Sequence, residues 1–267
     1  MDSTGSIRVG IGGWTYEPWR GLFYPLGLPH KEELAYASRR LTAIEVNGTF
    51  YASQKPETFA KWRAETPDGF VFALKGPRFA TNRRELKGAG ESVARFVDSG
   101  IVELGDKLGP INWQLAASKA FDPDDIEAFL ALLPREAGGL PLRHVLEVRH
   151  ASFMVPAFLA ILRRHGVAAV FADKPAYPFF FDITAPFVYL RLQGAAECEV
   201  LGYPAATLDA WAERARAWAA GPQPVDLPLI DPAAETRRTP RDVFIFMING
   251  HKPKAPAAAM ALIARLA

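Results

Sequence analysis

Three carboxylates in this chain, Glu45, Glu147 and Asp173, each stand near the end of a short apolar run, and so do three cations, Lys75, Arg149 and Arg191. Carboxylates brought together can divide general-acid and general-base duty, because a like charge nearby raises one pKa. With His150, which follows Arg149 directly, they could instead ligate a divalent metal through oxygen and imidazole nitrogen. A third option is structural: each acid pairs with one of the cations and neutralises the place where they meet. The cations also suit an anionic ligand, arginine as a planar fork and lysine as a point charge. Asn47, Gln114 and Asn249 add amides able to orient a ligand or to satisfy backbone groups.

His150 is the best-placed proton carrier, since it ends an apolar run beside charged residues. His30, His165 and His251 fall in loops or at helix ends, and His144 opens its run at the opposite end. The chain contains no HExxH pair for a tightly spaced metal site and no GxSxG elbow for a serine nucleophile. Its single cysteine, Cys198, has no CxxC partner and reads as an incidental thiol.

The elements that must position these groups are eight apolar runs: Arg8–Trp14, Ala43–Thr49, Val71–Gly76, Ile111–Ala116, His144–His150, Val167–Lys174, Phe187–Gly194 and Asp242–Gly250. Near-continuous apolar character is the mark of parallel strands buried on both faces. Helical patterns lie between them: Lys31–Arg40, Pro56–Glu65, Glu91–Glu103, a helix from Asp122 to about Leu133, Val155–His165, Leu208–Ala220 and Pro256–Leu266. Asp122-Pro123-Asp124-Asp125 supplies a cap carboxylate, proline at the first helical position and acids in the first turn. Gly166 suits the residue just past a helix end.

Strand–helix alternation predicts a parallel sheet, and eight strands in 267 residues predict closure into an α/β TIM-type (β/α)8 barrel as one domain over residues 1–267. No GxGxxG follows the first strand, against a dinucleotide fold. The crossover Pro175–Pro186, with three prolines and three successive phenylalanines, is expected to be irregular rather than helical. Proline-rich Gly221–Pro240 joins a helix to the last strand and is expected on the face away from the chemistry. In such a barrel the strand C-termini form the rim that carries active sites.

Aromatic residues crowd that rim. Trp14, Tyr16, Trp19, Phe23 and Tyr24 lie in the first loop, Phe50 and Tyr51 in the second, and Tyr177 with Phe179–Phe181 in the sixth. They can wall a partly dry pocket in which electrostatic interactions strengthen, or simply plug the barrel mouth. The third loop is basic: Arg78, Arg83, Arg84 and Lys87 beside Lys75, with Glu85 as the one acid among them. Such a loop is either a solvated surface or a contact for phosphates or single-stranded nucleic acid.

The ordered set Gly13-Trp14-x-Tyr16-x-x-Trp19 with Phe23-Tyr24-Pro25, Glu45-x-Asn47-x-Thr49-Phe50-Tyr51, Lys75-x-Pro77, Leu104 to Pro110, Gln114-Leu115, Glu147-x-Arg149-His150, Asp173 and Tyr189-x-Arg191-Leu192 resembles the YecE-like family, domain of unknown function 72. The likeness spans nearly the whole chain. It implies a TIM-type barrel, found mainly in bacteria and archaea, and no particular reaction. Relatives usually carry histidine where this chain has Gln193, and an aromatic with a second polar residue around Asn249. Gln193 does not titrate, so a mechanism needing that histidine as proton carrier is not available at this position.

Hydrophobic residues make up 49% of the chain and charged residues 22%, ordinary for a globular domain whose core needs no staple. A net charge of +2 does not by itself call for a nucleic-acid partner. No basic-then-apolar leader and no run of about 20 apolar residues is present, so a cytoplasmic protein without membrane contact is expected. The expected function is a hydrolase or lyase that binds an anionic or phosphorylated small molecule at the rim. Glu45, Glu147, His150 and Asp173 would be its catalytic groups, and Trp14, Tyr16, Asn47, Tyr51, Lys75, Gln114, Arg149, Arg191 and Asn249 its ligand-binding groups. The alternative is a non-catalytic protein that binds a nucleic-acid fragment through the basic third loop and aromatic mouth. Residue types leave the cofactor open, with a divalent metal as one option, and leave protein partners open.

Overall fold

Residues at period two face alternately into and out of a sheet, so each apolar run here supplies both a barrel lining and a surface for helices. The computed structural model describes residues 4–174, 176–234 and 238–267. Its strands are β1 (Ile7–Gly12), β2 (Ala43–Val46), β3 (Val71–Lys75), β4 (Leu108–Gln114), β5 (His144–Glu147), β6 (Ala168–Ala172), β7 (Phe187–Leu192) and β8 (Asp242–Met247). All pair in parallel and close in the order β1-β8-β7-β6-β5-β4-β3-β2. The expected barrel is therefore the observed fold.

The covering helices are α1 (Glu33–Ser38), α2 (Pro56–Glu65), α3 (Gly90–Val97), α4 (Pro123–Ala131), α5 (Pro156–His165), α6 (Ala205–Ala220) and α7 (Ala255–Leu266). Asp122 caps α4, its carboxylate accepting from the backbone N–H groups of Asp124 at 3.1 Å and Asp125 at 3.2 Å. Gly166 ends α5 in the left-handed region at φ 66°. The described part of Pro175–Pro186 holds no helix, as the prolines require. Pro175 itself lies outside the described residues.

Four boundaries differ from expectation for identifiable reasons. Strands stop short of the rim residues, β2 at Val46 rather than Thr49 and β5 at Glu147 rather than His150, because Asn47 and His150 each open a short helical turn. The helix expected over Glu91–Glu103 stops at Val97, since Gly100 takes φ 99° and a 3₁₀ segment, Ile101–Lys107, follows. Strand β4 begins at Leu108, earlier than expected, because the ladder absorbs Pro110 at a register shift between Phe72 and Leu74.

Proline-rich 221–240 lies, where described, at the N-terminal end of the barrel. The Phe181 N–H donates to the Pro228 carbonyl at 3.0 Å, and Asp182 accepts from the N–H groups of Ile230 and Asp231. Residues 235–237 lie outside the described residues.

The barrel lining grades from apolar to charged along the strands. Lower layers hold Ala43, Ala73, Val145, Ala168, Val170, Tyr189 and Phe244. Two residues farther along the same faces come Glu45, Lys75, Glu147 and Arg191. The small lower side chains of β2, β3, β5 and β6 leave the long upper ones room to meet inside the barrel.

Candidate functional site

Arg191 organises the upper layer. From β7 its Nε and Nη2 donate to the two oxygens of Glu45 on β2, each at 3.0 Å, and its Nη1 donates to Glu147 Oε2 on β5 at 2.6 Å. Tyr189 donates its hydroxyl to Glu45 at 2.7 Å, and Asn112 donates to Glu147 at 3.2 Å. Arg149 grips the other Glu147 oxygen through Nε at 3.0 Å and Nη2 at 2.8 Å. Every oxygen of both carboxylates thus has a donor. Burial alone would raise the Glu147 carboxyl, but Arg191 and Arg149 outweigh it and hold its pKa below the ordinary value. Burial would lower Arg191, and Glu147 and Glu45 reverse that, so the guanidinium stays charged.

Lys75 is the cation these acids do not absorb. It is 5% exposed, and its ammonium donates to the neutral amide oxygen of Gln114 at 2.8 Å. Among the described residues, no carboxylate lies within ion-pair distance of it. The Phe50 ring lies 4.1 Å from its Nζ. Burial, joined by repulsion from Arg191, lowers its pKa to about 8, against the pull of Glu45 and Glu147.

Above Lys75 opens a cleft of about 580 Å³, within the range of small-molecule sites. Of the expected ligand-binding residues, Trp14, Asn47, Tyr51, Lys75, Gln114, Arg149, Arg191 and Asn249 line it. Tyr16 does not; it packs edge-on against Trp19 at 5.2 Å. The other first-loop aromatics divide the same way: Trp19, Phe23 and Tyr24 are buried and hold the loop, with the Tyr24 hydroxyl donating to the Trp14 carbonyl at 2.6 Å. Asn249 takes φ 61°, a left-handed conformation that asparagine tolerates better than most side chains.

The remaining expected catalytic groups do not join Glu45 and Glu147. Asp173 turns back onto its own neighbourhood, accepting from the N–H groups of Gln193 and Gly194 and from the Tyr203 hydroxyl at 2.9 Å. Burial raises its pKa. His150 accepts from the Ser152 N–H at 3.2 Å and shares a hydrogen bond with its hydroxyl, capping a 3₁₀ turn. Among the described residues no group of three His, Cys, Asp or Glu side chains is placed to hold a metal ion. Gln193 accepts from Asn249 at 3.3 Å.

Sequence reasoning passed over Trp62, Gln54 and Lys252, which also line the cleft. Trp62 meets Trp14 edge-on at 5.1 Å and was legible only as an apolar helix position beside Phe59. Lys252 has a pKa lowered by burial, and its ammonium sits 4.3 Å from the Tyr16 ring. The third loop has more acid around it than its own sequence shows: besides Glu85, which pairs with Lys87 at 3.0 Å, Asp125 from α4 accepts from the N–H groups of Leu86 and Lys87.

Across residues 8–267 the chain matches the family described as Protein of unknown function DUF72. The chain belongs to the DUF72 family. Two curated relatives resemble this DUF72 chain. UPF0759 protein YecE of Escherichia coli (strain K12) is 31% identical over 150 residues, 55% of this chain and 50% of that one. UPF0759 protein YunF of Bacillus subtilis (strain 168) is 25% identical over 178 residues, 63% of this chain and 61% of that one. The match therefore spans about half the length of the first relative. A DUF72 family protein of Thermotoga maritima has a crystal structure that superposes with a TM-score of 0.74 at 22% identity, covering 98% of this chain and 99% of that one. That likeness supports the DUF72 barrel fold alone.

Proposed function

We propose that this DUF72 barrel binds a small anionic ligand, bearing phosphate or carboxylate, in the rim cleft and acts on it as a hydrolase or lyase. The observation that carries this reading is Lys75: a buried ammonium facing a cleft, hydrogen-bonded to a neutral amide and without a carboxylate partner among the described residues. A buried cation without a counter-charge is costly unless a ligand supplies one. Lys252 and the outward side of Arg149 add positive charge, Trp14 and Trp62 supply an apolar wall, and Asn47, Gln114 and Asn249 supply orienting amides. In this reading Glu45 and Glu147 hold the arginines in place, while Asp173 and His150 shape the rim loops. The lone exposed thiol of Cys198 fits a reducing, cytoplasmic setting. Among the described residues no helix is long and apolar enough to cross a membrane.

Titration with inorganic phosphate, read by calorimetry, tests the reading. Saturable binding that Lys75→Met abolishes supports it, and binding indifferent to Lys75 sinks it.

A second reading has its own observation. Arg78 lies 5.9 Å from the Tyr51 ring and 5.5 Å from the Phe79 ring, and both rings are mostly exposed at the rim. Aromatic faces beside arginine suit stacking of single-stranded nucleic acid without catalysis. Oligonucleotide affinity that falls steeply with salt and with neutralisation of Arg83, Arg84 and Lys87 would favour it.

A further inference from the structure

Lys75 combines four features that binding an anion does not require together. It ends a barrel strand at the floor of a cleft, which is a rigid station for a reacting group. Its ammonium makes one side-chain hydrogen bond, to Gln114 Oε1, and the Phe50 ring covers another approach. Its neighbours on the acid side, Glu45 and Glu147, are engaged by Arg191 and Arg149 and make no ion pair with it. Finally, burial and the nearby guanidiniums lower its pKa to about 8, so a useful fraction is neutral amine near neutral pH. A lysine meant only to hold charge gains nothing from losing it.

We infer that Lys75 is a nucleophile that forms an imine with a carbonyl-bearing anion, an aldehyde or ketone that also carries phosphate or carboxylate. The inference deepens the binding reading above and depends on it for the anionic group, which Lys252 and Arg149 are placed to receive. In the step, the neutral Nζ lone pair attacks the carbonyl carbon and forms the C–N bond, while the carbonyl π pair moves to oxygen. That oxygen takes up two protons in all and leaves as water when nitrogen closes the C=N bond. Starting from the ammonium, the balance is one ammonium and one carbonyl giving one protonated imine and one water. No oxidant or reductant enters, and the net charge beside Arg149 and Arg191 is unchanged. A protonated imine draws electrons from the adjacent carbon, which selects lyase over hydrolase chemistry for this cleft.

The test is reductive trapping on the full chain at pH 8. Dihydroxyacetone phosphate and pyruvate serve as separate probes, with cyanoborohydride as hydride donor and the modified lysine located by peptide mass spectrometry. Lys75 should be modified at least roughly tenfold faster than an average exposed lysine, because about a hundredfold more of it is neutral at that pH. Inorganic phosphate should slow the modification, and the faster of the two probes identifies phosphate or carboxylate as the preferred anionic group. Mapping the unaltered chain makes the result independent of any variant's folding. Lys75→Arg, which keeps a positive charge but has no neutral amine to attack a carbonyl, should lose the enriched adduct. If phosphate binds and needs Lys75 while adducts scatter over exposed lysines, the imine inference fails and the binding reading stands. If phosphate neither binds nor protects, and Lys75 is not enriched, both fail.

Discussion

Glu147 and Asp173 occupy equivalent stations, one at the end of β5 and the other just past β6, yet their surroundings are opposite. Glu147 lies between two guanidiniums, which hold it ionised against its burial. Asp173 meets no cation among the described residues; two backbone N–H groups and the Tyr203 hydroxyl receive it, and burial prevails to raise its pKa. The two guanidiniums outweigh burial at Glu147 while the dipoles around Asp173 do not, so the same carboxyl group is held below its ordinary pKa at one station and raised above it at the other. The charged half of the rim is also the half that opens into the cleft.

Breaking the charged half should have the largest effect. Arg191→Met leaves Glu45 and Glu147 buried with their shared counter-charge gone, and loss of one partner of such a buried set costs about 3–5 kcal/mol. Urea unfolding measures it. Adding Glu45→Gln to Arg191→Met should recover part of the loss, because one stranded charge is then removed. A loss no greater than that of an ordinary surface substitution would erase the contrast between the two stations.

Lys75→Met should act in the reverse direction. A folded pKa of about 8 against 10.5 means the unfolded chain binds the proton more tightly. Native stability therefore rises as pH climbs from about 8 to 10.5, and below that window the buried ammonium is a burden. The linkage is on the order of 3 kcal/mol. Lys75→Met should therefore flatten that rise and increase stability at pH 7 while abolishing phosphate binding. A variant that loses both stability and binding would mark Lys75 as structural.

The two carboxylates give a smaller and sharper contrast. Glu147, with a lowered folded pKa, stabilises above its ordinary value of 4.5 and loses that contribution as pH falls. Asp173, raised from 3.8, favours the native state at low pH and loses that contribution as pH rises through its folded value. Glu147→Gln should therefore weaken the acid-side loss of stability, and Asp173→Asn should steepen it. Thermal melts from pH 3 to 7 read both slopes, and equal slopes would show that the two environments do not differ as described.

The barrel and most cleft residues were legible because period-two patterning fixes which strand residues share an inner face: Ala43 with Glu45, Ala73 with Lys75, Tyr189 with Arg191. What spacing could not show was pairing. Arg191 could be placed on β7, but its reach to β2 and β5 depends on the small residues, Ala43 and Val145, beneath its partners Glu45 and Glu147 on those strands. Nor could spacing show that Asp173 would bend toward its neighbour strand's backbone, since backbone donors carry no residue signature. Trp62 and Lys252 escaped because they reach the cleft from a helix and from a loop turn, outside the strand-end pattern.

The smallest expected effect lies farthest from the cleft. Arg83 donates to the Phe79 carbonyl at 2.7 Å and to the Ser92 hydroxyl at 3.1 Å, Lys87 pairs with Glu85, and neither lines the cleft. Solvent and salt screen exposed charges beyond about 8 Å at physiological ionic strength. Neutralising Arg83, Arg84 and Lys87 together should therefore leave phosphate affinity within about twofold. The same triple variant should leave the melting temperature nearly unchanged, since exposed pairs contribute little. A tenfold loss of phosphate affinity would instead join the third loop to the site. The useful contrast would then be between a floor that holds one phosphate and a loop that holds the next, and the nucleic-acid reading would gain what the small-molecule reading loses.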